Sequence, residues 1–213
     1  MSWKHWAQAV GVIGGTVVLH EMAHALAARR AGGVVKEIGI GFGPPLVRAR
    51  WGPTVVSLRP IPIGGFAAID VERLPPTRRT PVLLAGPLAN ILAGLILRQL
   101  GGATVPAVLP GQTRPVEVGG LVAALTMLVR AASGGARSLI RTAGDVNLSI
   151  GLANLLPILP LDGGHLAAAR LEAAGADSSV VAAFKHVTAG LFLWLAIRVL
   201  FADMARLRRS SAP

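Results

Sequence analysis

Long apolar runs constrain the fold of this chain more than any other feature of its sequence. The first, at about residues 7–28, would form a helix of about 33 Å, enough to cross the hydrocarbon core of a bilayer. Three further apolar runs follow, at about 82–100, 139–161 and 180–202. We therefore expect a polytopic α-helical membrane protein with about four transmembrane helices, forming one domain over residues 1–213.

The composition agrees with a membrane protein and excludes two other classes. Hydrophobic residues make up 53% of the chain and charged residues 15%, and the mean hydropathy is +0.60. A soluble domain of this size could not cover itself with so little polar surface, and disordered chains are poor in apolar residues. Because there is no cysteine, any metal ion must be held by histidine, aspartate or glutamate.

The basic residues are distributed along the chain as expected for a membrane protein. The formal net charge is +11, and the basic residues lie mostly at the ends of apolar runs, as Arg29, Arg30, Arg78 and Arg79 do. This pattern is typical of anchoring against anionic head groups on the cytoplasmic side. We expect the lipid bilayer as a partner, no nucleic acid, and a multi-pass location in the inner (plasma) membrane.

A short motif inside the first apolar run can carry chemistry. In His20-Glu21-Met22-Ala23-His24 the two histidines lie four residues apart, so a helix places them on one face, within reach of one metal ion. Neutral imidazole binds zinc well, and zinc lowers the pKa of a bound water to about 7. Glu21 could take the proton of that water. The alternative is a chance match, but ionisable residues inside a crossing usually mark a site.

A catalytic zinc ion usually has three protein ligands, so one more is expected far along the chain. Asp162 fits best. Pro157 and Pro160 break the helix before it, and two glycines after it allow close backbone approach. The alternative reading of this segment is a crossing that ends at the prolines, with the aspartate capping the next helix.

Four motifs along the chain resemble those of a known family. They are HEMAH at His20–His24, PIPIGGF at Pro60–Phe66, LLAGPLAN at Leu83–Asn90 and NLLPILPLDGGH at Asn154–His165. The chain is similar to the site-2 proteases, which are intramembrane zinc metalloproteases. It resembles their minimal bacterial type, because we expect neither the inserted PDZ domain nor the cystathionine-synthase-type (CBS) nucleotide domain of larger members.

The resemblance implies a role for each matching residue. His20, His24 and Asp162 would bind one zinc ion, and Glu21 would act as the general base. Asn154 matches the family asparagine, which would form a hydrogen bond to the substrate or to the local backbone. The metal site would lie toward the cytoplasmic side, because the basic cluster follows the first run.

Between the first two apolar runs the sequence changes character. Residues at about 34–69 are rich in β-branched, glycine and proline residues, which predicts a small β-element, and the resemblance implies a membrane-associated sheet over the active site. Prolines confine the Pro60–Phe66 segment to an edge strand. An edge can pair with an extended peptide. We therefore expect Ile63, Gly64 and Gly65 to bind an unwound substrate strand.

The number of crossings follows from where Asp162 must lie. If 82–100 runs outward and 139–161 returns, Asp162 reaches the same side of the membrane as the histidines. The apolar run at 118–131 is too short to span unaided, and we expect an interfacial or partly inserted helix there. Arg141 and Asp145, four residues apart, are expected to pair on one helix face.

Together these features predict an intramembrane zinc endopeptidase. It would hydrolyse peptide bonds within or near the transmembrane segments of single-span membrane proteins, as in regulated intramembrane proteolysis. The alternative is a zinc-binding membrane protein without protease activity, such as a carrier or a scaffold. A transporter is disfavoured because the sequence has no internal symmetry. The sequence leaves open the substrate, what gates cleavage, and the oligomeric state.

Overall fold

The computed structural model describes residues 2–102 and 120–210, which are mostly helical. The helices are α1 (Trp3–Arg30), α2 (Pro76–Leu100), α3 (Leu121–Ser133), α4 (Ala136–Ala153), α5 (Asp162–Ala173) and α6 (Ser178–Ser210). The strands are β1 (Val35–Phe42), β2 (Val47–Trp51), β3 (Thr54–Leu58) and β4 (Ile61–Ile69), and a short 3-10 turn covers Val71–Arg73. The expected class, a mostly helical chain with a small sheet, is confirmed.

Within the described ranges, three helical segments are long and apolar enough to cross a membrane. They are Trp3–Arg30, Thr77–Leu100 and Ser178–Ala205, and only 6% of the apolar window of the last is buried by the rest of the chain. That exposure suits a helix whose apolar surface faces lipid. The four-helix topology stays a prediction, since α4 and α3 are shorter than these segments.

The third apolar run does not form one continuous helix. Helix α4 ends at Ala153, and an irregular segment that contains Pro157 and Pro160 leads to α5, which begins at Asp162. The break is where the prolines predict it, since proline lacks the N–H that an interior turn requires. Helix α3 covers most of the predicted short helix at 118–131, of which residues 118 and 119 lie outside the described ranges.

The four strands form one sheet in the order β2-β3-β1-β4. Strands β2 and β3 form an antiparallel hairpin, in which Gly52 takes a φ of +61° that favours glycine. Strand β1 runs parallel to β3 and antiparallel to β4, with Ile38 opposite Ala67 and Gly39 opposite Phe66. Strand β4 therefore lies at one edge of the sheet, as the prolines in its sequence predict.

Helix α1 joins two apolar clusters. Its first half packs through Ala9 and Ile13 against Leu128 and Val129 of α3. Its second half packs through Ala25 and Ala28 against the sheet and the start of α2, in a cluster completed by Val35, Ile38, Leu74 and Val82. The histidine motif lies between the clusters, so apolar packing on both sides fixes its position along α1.

Glycines let α2 and α4 pack closely. A Cβ built on Gly94 of α2 would lie 2.6 Å from Leu148 Cγ, and one built on Gly144 would lie 2.8 Å from Arg98 Cγ. At this interface Arg98 forms an ion pair with Asp145. The expected Arg141–Asp145 pair is therefore wrong, because close packing brings a residue of α2 nearer to the carboxylate than its neighbour on α4.

Candidate metal centre

The two histidines of the motif lie one turn apart on α1 and face the interior. Each is 7% exposed, and their rings meet edge to face with centroids 4.7 Å apart. Nε2 of His20 lies 3.1 Å from Nε2 of His24. The four-residue spacing places both ring nitrogens at one point because a helix advances 3.6 residues per turn.

The break between α4 and α5 carries Asp162 to the same point. The Asn154 side chain donates a hydrogen bond to the carbonyl of Ile150, and the backbone carbonyl of Asn154 accepts one from the N–H of Gly163. A Cβ on Gly164 would lie 2.5 Å from the nitrogen of Leu159, so the turn requires glycine there. The Asn154 side chain thus bonds to local backbone, one of the two roles expected for it.

The structure brings the three predicted ligand side chains together. Oδ2 of Asp162 lies 3.0 Å from Nε2 of His20 and 3.2 Å from Nε2 of His24. Ligand atoms about 2.0–2.1 Å from a tetrahedral zinc ion are about 3.3 Å from one another. The observed triangle is within a few tenths of an ångström of that arrangement, so these donors would fit one zinc ion.

Helix α2 forms the wall behind the triangle, through three residues that recur every fourth position. Nδ1 of His24 lies 2.7 Å from the carbonyl oxygen of Val82, and Nδ1 of His20 lies 3.1 Å from Nδ2 of Asn90. Between them, a Cβ on Gly86 would lie 2.7 Å from Nε2 of His20. We call Val82, Gly86 and Asn90 the α2 stripe.

Sequence reasoning missed the role of the α2 stripe. In the sequence, Leu83–Asn90 is identified only as a motif, with no role assigned to Gly86 or Asn90. The signal was present, because a polar residue inside an apolar crossing is by default a candidate functional residue. Asn90 is completely buried, and it follows Gly86 by one helical turn.

Glu21 lines a cavity of about 530 Å³ that also includes the triangle. The backbone N–H of Ala67 in β4 donates a hydrogen bond to its carboxylate. A Cβ on Gly65 would lie 3.4 Å from Glu21 Cγ and 2.7 Å from Val17 Cγ1, so glycine lets β4 lie against α1. The sheet therefore positions the carboxylate beside the triangle.

The predicted substrate-binding residues belong to β4. Gly65 lines the cavity, and Gly64 beside it takes a φ of +78°, a conformation that strains any residue with a Cβ. Ile63 is in the same strand, and its side chain is not among those described. Asn154 also lines the cavity. Of the residues expected to contact substrate, Gly65 and Asn154 thus line the cavity that contains the triangle, and their contact with substrate stays a prediction.

A charged network braces the sheet beside the cavity. Glu37 accepts hydrogen bonds from Ser57 Oγ at 2.6 Å and from the Arg59 guanidinium at 2.9 Å. These two donors hold the pKa of Glu37 below its ordinary value of 4.5. The same guanidinium lies 4.9 Å above the ring of Phe66, which lines the cavity. The network thus ties β1 and β3 to the cavity wall.

A helix with two histidines four residues apart, joined by a distant aspartate inside an apolar helical fold, defines a class of membrane metalloprotein. The model of Peptidase family M50 matches residues 8–197. The chain belongs to that family, the family of the site-2 proteases.

Individual relatives agree with this assignment. The chain is 34% identical over 131 residues to a putative zinc metalloprotease of Chlamydia trachomatis serovar D, covering 49% of this chain and 21% of that protein. It is 42% identical over 61 residues to the regulator of sigma-W protease RasP of Bacillus subtilis, covering 29% of this chain and 14% of that one. The chain therefore spans a minor part of the length of the curated relatives it matches.

One solved structure shows the same fold. The site-2 protease from Methanocaldococcus jannaschii aligns with a TM-score of 0.51 and 20% sequence identity, covering 92% of this chain and 67% of that one. At this identity the likeness shows the arrangement of helices and sheet.

Proposed function

We propose that this chain is a zinc endopeptidase that hydrolyses peptide bonds within or near the transmembrane segments of single-span membrane proteins. The observation that carries the proposal is the triangle of His20, His24 and Asp162 beside the Glu21 carboxylate, inside a cavity at an apolar helix. Membership of the family, and the names of the relatives, support the same activity.

In this proposal His20, His24 and Asp162 hold one zinc ion. Bound zinc lowers the pKa of a coordinated water and polarises a carbonyl oxygen. The residues supply a negative carboxylate and two neutral imidazoles, a donor set that zinc prefers. Their burial among apolar helices strengthens the electrostatic interactions of the site.

Glu21 acts as the general base. Its carboxylate shares the cavity with the three ligands, and the hydrogen bond from Ala67 holds it there. It takes the proton of the attacking water as the carbon–oxygen bond forms. It then gives that proton to the amine nitrogen as the carbon–nitrogen bond breaks, so that proton count and charge balance.

The activity is tested by co-expression with candidate single-span membrane proteins and mapping of the fragments. Glu21→Gln should bind zinc as the native chain does but produce no fragments. The matched control is Glu172→Gln, which changes a carboxylate on the same cavity that is paired with Lys185. The control should keep cleavage. If Glu21→Gln produces as many fragments as the native chain, Glu21 is not the base. If the native chain binds zinc but cleaves none of the candidates, the result favours the alternative of a zinc carrier or scaffold.

Strand β4 receives the substrate as an added strand. It lies at the edge of the sheet, and its residues Gly65, Phe66 and Ala67 line the cavity that contains the triangle. A helical segment hides its carbonyls in hydrogen bonds, and pairing with an edge strand exposes them in extended form. Because the N–H of Ala67 is directed to Glu21, we place the pairing at Ile63, Gly64 and Gly65.

The pairing is tested with proline, which cannot donate a hydrogen bond to an added strand. Ile63→Pro should abolish fragment formation while zinc binding persists. The matched control, Arg50→Pro, places the proline in β2 at the opposite edge of the sheet and should keep cleavage. Normal cleavage by Ile63→Pro would rule out the edge pairing and leave the proposed metal chemistry unaffected.

The orientation we propose places the cavity toward the cytoplasmic side, with four crossings and with α3 at the interface. The basic residues Arg29 and Arg30 end α1 beside the sheet, which supports this placement. Because the chain has no cysteine, single cysteines can report topology directly. A thiol reagent that does not cross the inner membrane should leave Gly52→Cys unlabelled in intact cells and label it in inverted vesicles. Ser2→Cys should behave in the opposite way.

A further inference from the structure

The α2 stripe contacts the nitrogens of the two histidines that do not take part in the triangle. Nδ1 of His24 meets the carbonyl of Val82, and Nδ1 of His20 meets the side chain of Asn90. Metal-binding histidines commonly donate their second ring N–H to an oxygen, which fixes the tautomer and the ring orientation. The Val82 carbonyl and the Asn90 side chain therefore lie where an acceptor for the second ring N–H of each histidine is expected.

The contact with His24 has one possible direction. A carbonyl oxygen can only accept, so Nδ1 of His24 carries the proton and donates to Val82 across 2.7 Å. A neutral ring with its proton on Nδ1 leaves the lone pair on Nε2, and Nε2 points into the triangle. Val82 thus prepares His24 to bind a metal ion.

The contact with His20 has two possible directions, because a carboxamide has a donor end and an acceptor end. Asn90 is 0% exposed, its Nδ2 lies 3.1 Å from Nδ1 of His20, and its Oδ1 is buried without a hydrogen-bond partner. With Nδ2 as the donor, the proton of a neutral His20 must be on Nε2, where it blocks metal binding. A half-turn of the amide exchanges the two ends at the same positions. Oδ1 then accepts from Nδ1–H, and Nε2 is free.

We infer that Asn90 is a positioning residue, whose Oδ1 accepts the Nδ1–H of His20 and so directs the Nε2 lone pair into the triangle. The inference rests on the proposed ligand set of His20, His24 and Asp162. It makes Asn90 the counterpart of the Val82 carbonyl, eight residues earlier on the same face of α2. Oδ1 then has a donor, and Nδ2 takes the buried position where Oδ1 had no partner, so what favours this orientation is the free Nε2 of His20.

The test is the zinc affinity of the purified full chain in detergent, measured by competition with a chelator. Asn90→Leu keeps the size of the side chain and removes the acceptor, and it should weaken binding by about 10- to 100-fold. Asn90→Asp keeps an oxygen that accepts from Nδ1–H, and its affinity should match that of the native chain. This rescue separates an acceptor from a residue that only fills space.

Asn147 on α4 provides a matched control. It is also a buried asparagine, 3% exposed, with an unpartnered Oδ1, but its Nδ2 donates to Thr16 and to the carbonyl of Ala143. Asn147→Leu should lower thermal stability and leave zinc affinity unchanged. Equal losses of affinity in Asn147→Leu and Asn90→Leu would overturn the inference, because general packing would then explain both.

A measurement on the native chain avoids any variant that fails to fold. With ¹⁵N-labelled histidine and zinc added, nuclear magnetic resonance should show the proton of His20 on Nδ1. A proton on Nε2 would overturn the inference. His20→Ala distinguishes this failure from failure of the ligand set: if His20→Ala still binds zinc as the native chain does, the ligand set is wrong. If His20→Ala loses zinc and Asn90→Leu keeps it, only the role of Asn90 is wrong.

Discussion

Replacing Gly86 with alanine adds one methyl group at the back of the proposed metal site. The added Cβ would lie 2.7 Å from Nε2 of His20 and would also press on Nε2 of His24. The rings cannot simply turn away, because Asn90 and the Val82 carbonyl hold their other nitrogens. The substitution therefore acts on the ligand triangle itself.

The size of the effect follows from this geometry. Ordinary contact begins at 3.4 Å, so the methyl group and the His20 ring must separate by about 0.7 Å, and the His24 ring must move farther still. Zinc ligands keep their distances to within about 0.2 Å, so a shift of this size removes at least one nitrogen from the site. We expect zinc affinity to fall by at least about 100-fold, which is about 2.7 kcal/mol.

The assay is competition with a chelator on purified chain, combined with the zinc content after dialysis. Gly94→Ala is the matched control. It lies two turns farther along α2, and its Cβ would also be crowded, 2.6 Å from Leu148 Cγ, but against α4. Gly94→Ala should lower the thermal midpoint while zinc binding stays intact.

Two results would refute this reasoning about Gly86. One is zinc binding by Gly86→Ala with the native affinity, which would mean that α2 can move away from the histidine rings without weakening the site. The other is an equal loss of zinc affinity in Gly94→Ala, which would mean that any disturbance of the packing of α2 weakens zinc binding. Helical content measured by circular dichroism must stay unchanged for either comparison.

Three further predictions concern stability. Because the pKa of Glu37 is lowered in the folded sheet, its carboxylate stabilises the fold above about pH 4.5, and this contribution is lost as the pH falls through the folded pKa. Glu37→Gln should therefore lower the thermal midpoint near neutral pH and flatten its decline in acid; an unchanged decline would contradict this. Asp145→Ala should lower the midpoint, whereas Arg141→Ala should not, since Asp145 pairs with Arg98. Free zinc at about 100 times its Kd should stabilise the native chain by about 2.7 kcal/mol, and His24→Ala should abolish that gain in thermal melts.

The features that the sequence predicts correctly are those that depend on residues close together in the chain. The apolar runs predict helices because a membrane span needs about 20 apolar residues, and the proline segment before Asp162 predicts the end of α4 because proline removes a donor. The spacing of His20 and His24 predicts a shared helix face. The edge position of β4 follows from its prolines in the same way.

The parts that it missed depend on how helices pack against one another. The spacing of Arg141 and Asp145 is correct for a pair on one helix, but it carries no information about α2, whose Arg98 is the actual partner. The prolines predict an interruption before residue 161, but they do not show that α4 already ends at Ala153, where the backbone carbonyl of Asn154 accepts a hydrogen bond from the N–H of Gly163. In both cases a residue outside the local pattern decides the result.

The α2 stripe shows why the histidine motif alone does not make a metal site. Two imidazoles on one helix place two nitrogens together, but each ring has two tautomers, and an unpaired buried Nδ1 leaves the choice open. In this fold a second helix makes the choice, through the Val82 carbonyl for His24 and the Asn90 side chain for His20, and Gly86 between them leaves room for the ion. Residues 82, 86 and 90 recur with the same four-residue spacing as the two histidines. This face of α2 can therefore contact the histidine face of α1 at each turn. A chain with the histidine motif and a leucine at the position of Asn90 should therefore fold similarly and bind zinc more weakly.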